Sequence, residues 1–140
     1  MKTLVYGDNQ RVCEWVSRHI GEDLGRGVGI GLEENGELIA GVFYNMFTGA
    51  GISMHVAAVP GRRWMTREYL FCCFAYPFLQ LNCRRVTGLV RVSNLEARKF
   101  DEHLGFKREG LIREAFDDGE DGLLYGMLKP ECRWIRSRHG

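Results

Sequence analysis

The stretch from Ile52 to Phe106 constrains the fold most, because strand and helix patterns follow one another there with clear stops between them. Ile52 to Val59 reads as an apolar strand, and Pro60-Gly61 ends it. The turn Arg62-Arg63-Trp64-Met65-Thr66-Arg67 feeds a helix beginning near Thr66, with Leu70, Phe71, Phe74, Phe78 and Leu79 on one face. Pro77 removes one backbone hydrogen bond within it and predicts a kink. Val86 to Val92 forms the next strand. Ser93 with Glu96 then makes a capping box for a second helix, Gly105 suits the left-handed position past its end, and Phe106 packs back on Phe100.

The start of the first helix is where chemistry is expected. Free N–H groups and the positive end of the helix dipole make it an anion site. Arg62, Arg63 and Arg67 gather there, where the dipole alone favours acidic residues. A pyrophosphate would resolve that conflict; a solvated basic patch is the plainer alternative. Trp64 either shields phosphates, stacks on a substrate or anchors the loop.

Ahead of this stretch, Lys2 to Tyr6 suits a short strand, and Asp8 can cap a helix whose apolar face is Val12, Trp15, Val16 and Ile20. Gly21 ends that helix. A strand through Val28, Ile30 and Leu32 meets the hairpin signal Glu34-Asn35-Gly36-Glu37, and a returning strand runs from Leu38 to about Phe47. After it, Glu109 to Phe116 and Leu123 to Leu128 pair across the turn of residues 117–122. A basic tail from Glu131 to Gly140 carries Trp134 and Ile135 as packing residues.

A length of 140 residues suits a single domain spanning 1–140. A net charge of +1 argues against a dedicated polyanion binder, and no apolar run of about 18 residues predicts a membrane span. The apolar part of MKTLVYGDNQ is too short for a signal peptide. Five cysteines without C-x-x-C spacing suit a reducing cytoplasm and give no metal-ligand pattern; Cys72, Cys73 and Cys83 read as small buried hydrophobes.

Asn94-Leu95-Glu96-Ala97, Phe100, Leu104-Gly105-Phe106 and Arg108-Glu109-Gly110, followed by Arg113, form the pattern N-x-x-A-x-x-F-x-x-x-L-G-F-x-x-E-G. On these residues the chain resembles the GNAT superfamily of acetyl-CoA-dependent N-acetyltransferases. Tyr125-Gly126-Met127-Leu128 is similar to the family's closing strand, most like the branch that acetylates protein N-termini. The glycine-rich R-G-x-G-x-G signature is poorly kept, and Arg62 to Arg67 occupy its place without a glycine.

The resemblance implies an α/β (α+β) fold, a mixed and mostly antiparallel sheet flanked by helices. It also implies acetyl-CoA as acyl donor and a primary amine on a protein or small molecule as acceptor. The thioester would lie along the strand of Ala57, Ala58 and Val59, with the pyrophosphate at Arg62, Arg63, Trp64, Met65, Thr66 and Arg67. Asn94 and Arg98 would hold the cofactor arm and its phosphate, or else be solvated at the helix start. Two departures stand out. Ser53 occupies the place where some relatives carry a glutamate base, so His55, two residues on, is the leading base, with a packed or lining histidine as its plain alternative. Asp101 stands where many relatives carry a tyrosine acid; an ionised aspartate cannot donate a proton and would face solvent. Tyr125 is then the substitute donor, unless it only satisfies a core hydrogen bond.

Two rivals follow from the same residues. The missing tyrosine and glutamate suit an acyl-CoA-binding protein without catalysis. The arginine turn with Trp64 and the basic tail suit a nucleic-acid-binding module, against which the near-neutral charge counts. Pairing with a second copy of the chain stays open.

Overall fold

The computed structural model describes residues 1–136; the last four residues of the basic tail lie outside them. One seven-stranded sheet organises the chain. Its strands are β1 (Lys2–Val5), β2 (Val28–Glu34), β3 (Glu37–Asn45), β4 (Gly51–Ala58), β5 (Arg85–Arg91), β6 (Lys107–Ile112) and β7 (Gly122–Leu128). They lie in the order β1-β2-β3-β4-β5-β7-β6, antiparallel throughout except for the parallel pair β4–β5. This is the mixed, mostly antiparallel sheet expected.

Helix α1 (Asn9–Ile20) covers one face. Its buried Val12, Trp15 and Val16 join Phe43, Leu38 and Ala57 in one apolar cluster. Glycines let it come close: a Cβ at Gly41 would stand 2.7 Å from Val16, and one at Gly29 would stand 2.7 Å from Val12. Asp8 is the N-cap residue but its side chain makes no capping bond. The neighbouring Asn9 instead accepts a bond from Gly29 N–H at 3.1 Å and ties the helix start to β2.

Helices α2 (Arg67–Ala75) and α3 (Leu95–Leu104) belong to the other face, over the larger core. Thr66 caps α2 by accepting from Tyr69 N–H at 3.2 Å. Leu70, Phe74 and Phe78 are buried, whereas Phe71 and Leu79 are 43% and 49% exposed, so the apolar stripe is narrower than the sequence suggests. At Pro77 the helix does not simply kink. It widens into a π turn over Tyr76–Gln80, which accommodates a residue that cannot donate a helical hydrogen bond.

The expected capping box at Ser93 is not formed. Asn94, one residue on, is the cap of α3 and accepts from Ala97 N–H at 3.1 Å. Ser93 N–H is already taken by the Glu120 carboxylate at 2.8 Å. The exit of α3 is as expected. Gly105 is left-handed (φ 109°), Phe106 N–H donates to Asp101 C=O, and Gly105 N–H donates to Glu102 C=O. That is the Schellman pattern. Phe106 turns its ring to Phe74 at 6.1 Å, and Phe100 turns to Trp64 at 5.3 Å. In the tail, Trp134 packs against the core and donates to Leu104 C=O at 2.8 Å.

Candidate active site

The site begins with a split in the sheet. Strands β4 and β5 pair only where Gly51, Ile52 and Ser53 meet Arg85, Val86 and Thr87. Beyond that, β4 stays with β3 as far as Ala58, and β5 stays with β7. The two parallel strands therefore part, and the edge of β4 from Met54 onward carries outward backbone N–H and C=O groups with no strand beside them.

A cavity of about 210 Å³ occupies the split. Met54, His55 and Val56 line one wall, Leu89 to Arg91 the other, and Ala97, Phe100 and Asp101 of α3, with its cap Asn94, close one end. Glu22, Asp23 and Leu24, from the segment after α1, close the opposite end. The cleft thus reaches both faces of the sheet. Met54, Val56 and Ala58 pack with the α2–α3 core, whereas Ala57 packs with the α1 cluster, so alternation puts His55 on the α1 side.

His55 is largely buried, and loss of hydration pulls its imidazole down to about 4. It is therefore neutral near pH 7 and does not titrate near 6.5, as an unperturbed histidine would. Its tautomer follows from its neighbours. Asn45 donates its amide to Leu24 C=O at 3.2 Å, so its Oδ1 turns to His55 Nε2 at 3.0 Å. Nε2 must carry the hydrogen, which leaves Nδ1 as the basic nitrogen. The register sets this contact: Asn45 pairs with Ser53, diagonal to His55, and Phe43 pairs with His55 and meets its ring edge-on.

Asp101 reverses the sequence expectation. It does not face solvent; it is 7% exposed and borders the cleft. Among the described residues its carboxyl has no hydrogen bond or ion pair. Burial first, and the neighbouring Glu102 second, push it up to about 7. Room for it comes from β5, where a Cβ on Gly88 would stand 3.3 Å from Asp101 Oδ2.

Tyr125 does not reach the cleft. Its ring is buried on β7, and its hydroxyl donates at 2.8 Å to Oε2 of the exposed Glu102, at the edge of the core. Burial and that bond push its hydroxyl up. Arg98 is also turned away: it donates to Val92 C=O at 2.9 Å and is not among the residues lining the cleft. Asn94 borders the cleft, with its amide oxygen spent on capping α3.

Ala57 and Ala58 continue the free edge of β4 towards the arginine turn, but Val59 does not: its N–H donates to Ile39 C=O at 2.8 Å and its C=O accepts from Arg62 N–H at 3.3 Å. There Arg62 is ion-paired with Glu34, which holds that carboxyl below its usual range. Arg63 and Arg67 are exposed and, among the described residues, make no ion pair. Trp64 is 5% exposed and packs on Phe100 and Tyr69, with the half-buried Met65 against the same core. It is the loop anchor, too deep to shield a phosphate.

Arg91 completes the rim. It pairs with Glu22, with Asp118 at 2.8 Å and with Glu120 at 3.0 Å, and lies 4.3 Å over the Phe116 ring. It joins the segment after α1 to the β6–β7 turn. Neither Arg91 nor Asn45 has a local sequence signal, because each depends on partners 10 to 69 positions away.

Over 58 residues the chain is 36% identical to an uncharacterized N-acetyltransferase of Methanocaldococcus jannaschii. That match spans 41% of this chain and only 37% of the relative's length. A spermidine/spermine N-acetyltransferase of Vibrio cholerae superposes at TM-score 0.66 and 19% identity, over 91% of this chain and 92% of that one. An acetyltransferase of the GNAT family from Bacillus anthracis superposes at TM-score 0.62 and 16% identity, over 84% and 73%. No protein-family model matches the chain. The overall architecture is therefore one shared with known acetyltransferases. It is the GNAT fold, as the motif of residues 94–110 implies.

Proposed function

We propose that the protein is an acetyl-CoA-dependent N-acetyltransferase that passes an acetyl group directly to a primary amine. The supporting observation is the free edge of β4 beside a cleft open to both sheet faces, leading to a capped helix start with two arginines that make no ion pair among the described residues. The thioester arm would pair with the free edge of β4 at Ala57 and Ala58, since the backbone groups of Val59 are already bonded. Arg63, Arg67 and the free N–H groups at the start of α2, capped by Thr66, would take the pyrophosphate. The cavity is below the 300–1,000 Å³ of a typical small-molecule site, which suits the reacting end of the donor with the nucleotide outside. The amine would enter from the α1 side, past Glu22 and Asp23, and outward N–H groups of β4 would stabilise the developing oxyanion.

Calorimetric titration with acetyl-CoA and with an oligonucleotide, at two salt concentrations, tests this against nucleic-acid binding. Thiol release with α-amine peptides, lysine side chains and spermidine then tests catalysis. Saturable acetyl-CoA binding with amine-dependent thiol release is expected. Binding without thiol release from any amine would leave an acyl-CoA-binding protein.

The pairing of Arg62 with Glu34 sharpens one prediction. Arg63→Ala with Arg67→Ala should raise the Kd for acetyl-CoA about 30-fold, near 2 kcal/mol, while Arg62→Ala alone changes it little. An unchanged Kd in the double variant would remove the pyrophosphate from this turn.

His55 would accept a hydrogen bond from the attacking amine at Nδ1 and aim the lone pair at the carbonyl. With its ionisation near 4, the acidic limb of log kcat/KM should follow the acceptor's own pKa, with no histidine step near 6.5. His55→Gln should lower kcat about 10-fold with acetyl-CoA affinity retained. A limb fixed near 6.5 for every acceptor would make His55 a full proton acceptor instead.

A further inference from the structure

The reaction leaves a negative charge on sulfur, and the tyrosine hydroxyl that is buried on β7 lies outside the cleft. One carboxyl does border it, buried and, among the described residues, without a hydrogen bond or ion pair. We propose that Asp101 is the proton donor to the departing CoA thiolate, an inference that rests on the acetyltransferase reading.

The position follows from the fold. α3 closes the α2–α3 side of the split, the side onto which the arginine turn opens, so the donor sulfur would pass Asp101 and the amine would come from the side of His55. Glycine at position 88 leaves the space that the carboxyl uses, and the Schellman exit uses only the Asp101 backbone oxygen, so the side chain has no structural bond to give up.

The chemistry needs a neutral acid there, and the surroundings favour one. Glu102 adjoins Asp101 on α3, and Glu22 and Asp23 face the cleft from the segment after α1. His55, facing from β4, is neutral, and Tyr125, on β7, is spent on Glu102. Arg91 of β5 is the cation of the cleft, but its guanidinium is shared among Glu22, Asp118 and Glu120. With no cation committed to it and little water, the Asp101 carboxyl keeps its proton up to about 7.

The step balances. The amine lone pair forms the C–N bond, and the carbonyl pair moves to oxygen. Its return breaks the C–S bond and leaves the pair on sulfur, which takes the Asp101 proton. The amine nitrogen loses one proton to water, and water reprotonates Asp101.

Asp101→Asn keeps the size and neutrality of the group but cannot release a proton. In kinetics with acetyl-CoA and an α-amine peptide, kcat should fall on the order of 10²-fold, with KM for acetyl-CoA nearly unchanged. Wild type should lose activity as pH rises above about 7, and the variant should lack that limb. Infrared titration of the free protein supplies a readout independent of turnover: a protonated-carboxyl band should fade near neutrality in wild type and be missing in the variant. An active wild type whose Asp101→Asn variant keeps kcat and the alkaline limb overturns this proposal alone, as does an infrared spectrum showing the carboxyl ionised at pH 5. A wild type that binds acetyl-CoA but releases no thiol with any amine overturns the acetyltransferase reading and this proposal with it.

Discussion

Trp64→Ala is expected to lower the unfolding free energy by about 3–5 kcal/mol, the usual cost of deleting a buried aromatic. The indole lies edge-on to Phe100 of α3 and to Tyr69 of α2, so it pins the arginine turn to both helices. Removing it leaves a cavity beneath the turn and frees the backbone that leads into the Thr66 cap. Acetyl-CoA affinity should therefore weaken in the same variant, although Trp64 itself touches no phosphate. Trp64→Phe, which keeps most of the apolar contact, should recover most of the stability. Urea unfolding measures both. A wild-type midpoint in the alanine variant would place Trp64 outside the core and return it to the role of an exposed shield.

The elements that local sequence specifies are those whose chemistry closes within a few residues. Asn35 and Gly36 both take positive φ at the β2–β3 turn, as an Asn-Gly hairpin requires. Gly105 takes the left-handed exit of α3 for the same kind of reason. The cap of α3 is the instructive miss. Ser93 and Asn94 are both good caps by residue type, and the choice fell to Glu120, 27 positions away, which occupies the Ser93 N–H.

The candidate site is legible in the sequence in outline and not in protonation. The family motif locates the cleft, the free strand edge and the helix start, because these follow from topology. Charge states follow from burial, which no spacing rule supplies. Asp101 looks like a surface residue between Phe100 and Glu102, yet Gly88 on another strand makes the space that buries it. His55 looks like an ordinary titrating base, yet the β3–β4 register brings Asn45 and Phe43 onto its ring. Arg62 looks like one of three equivalent arginines until the β2–β3 hairpin presents Glu34 to it.

These two buried groups predict an unusual stability profile. Asp101 is held above its unfolded value of 3.8, at about 7, so the folded state keeps that proton more tightly than the unfolded chain. Its contribution is fully present below 3.8 and is lost as pH rises towards 7, by up to about 4 kcal/mol at 1.36 kcal/mol per pH unit. His55 has the opposite sign. Its folded value, about 4, lies below the unfolded 6.5, so its contribution is present above 6.5 and is lost as pH falls towards 4, by up to about 3 kcal/mol. Between pH 4 and 6.5 the two slopes oppose each other, and wild type should be nearly flat. Single variants should separate them. Asp101→Asn should gain stability with rising pH across that window, because only the histidine term remains; its buried amide adds an offset that does not vary with pH. His55→Gln should lose stability across the same window and level off above about 7. The half-buried Glu34, Glu120 and Glu131 and the exposed Asp118 are held low by their partners and act mainly below pH 4.5, in all three proteins alike. Guanidinium unfolding at half-unit steps from pH 4.5 to 8 gives the three curves. Parallel curves would mean that both groups ionise in the folded protein as they do in water, and the water-excluding cleft would have to be abandoned.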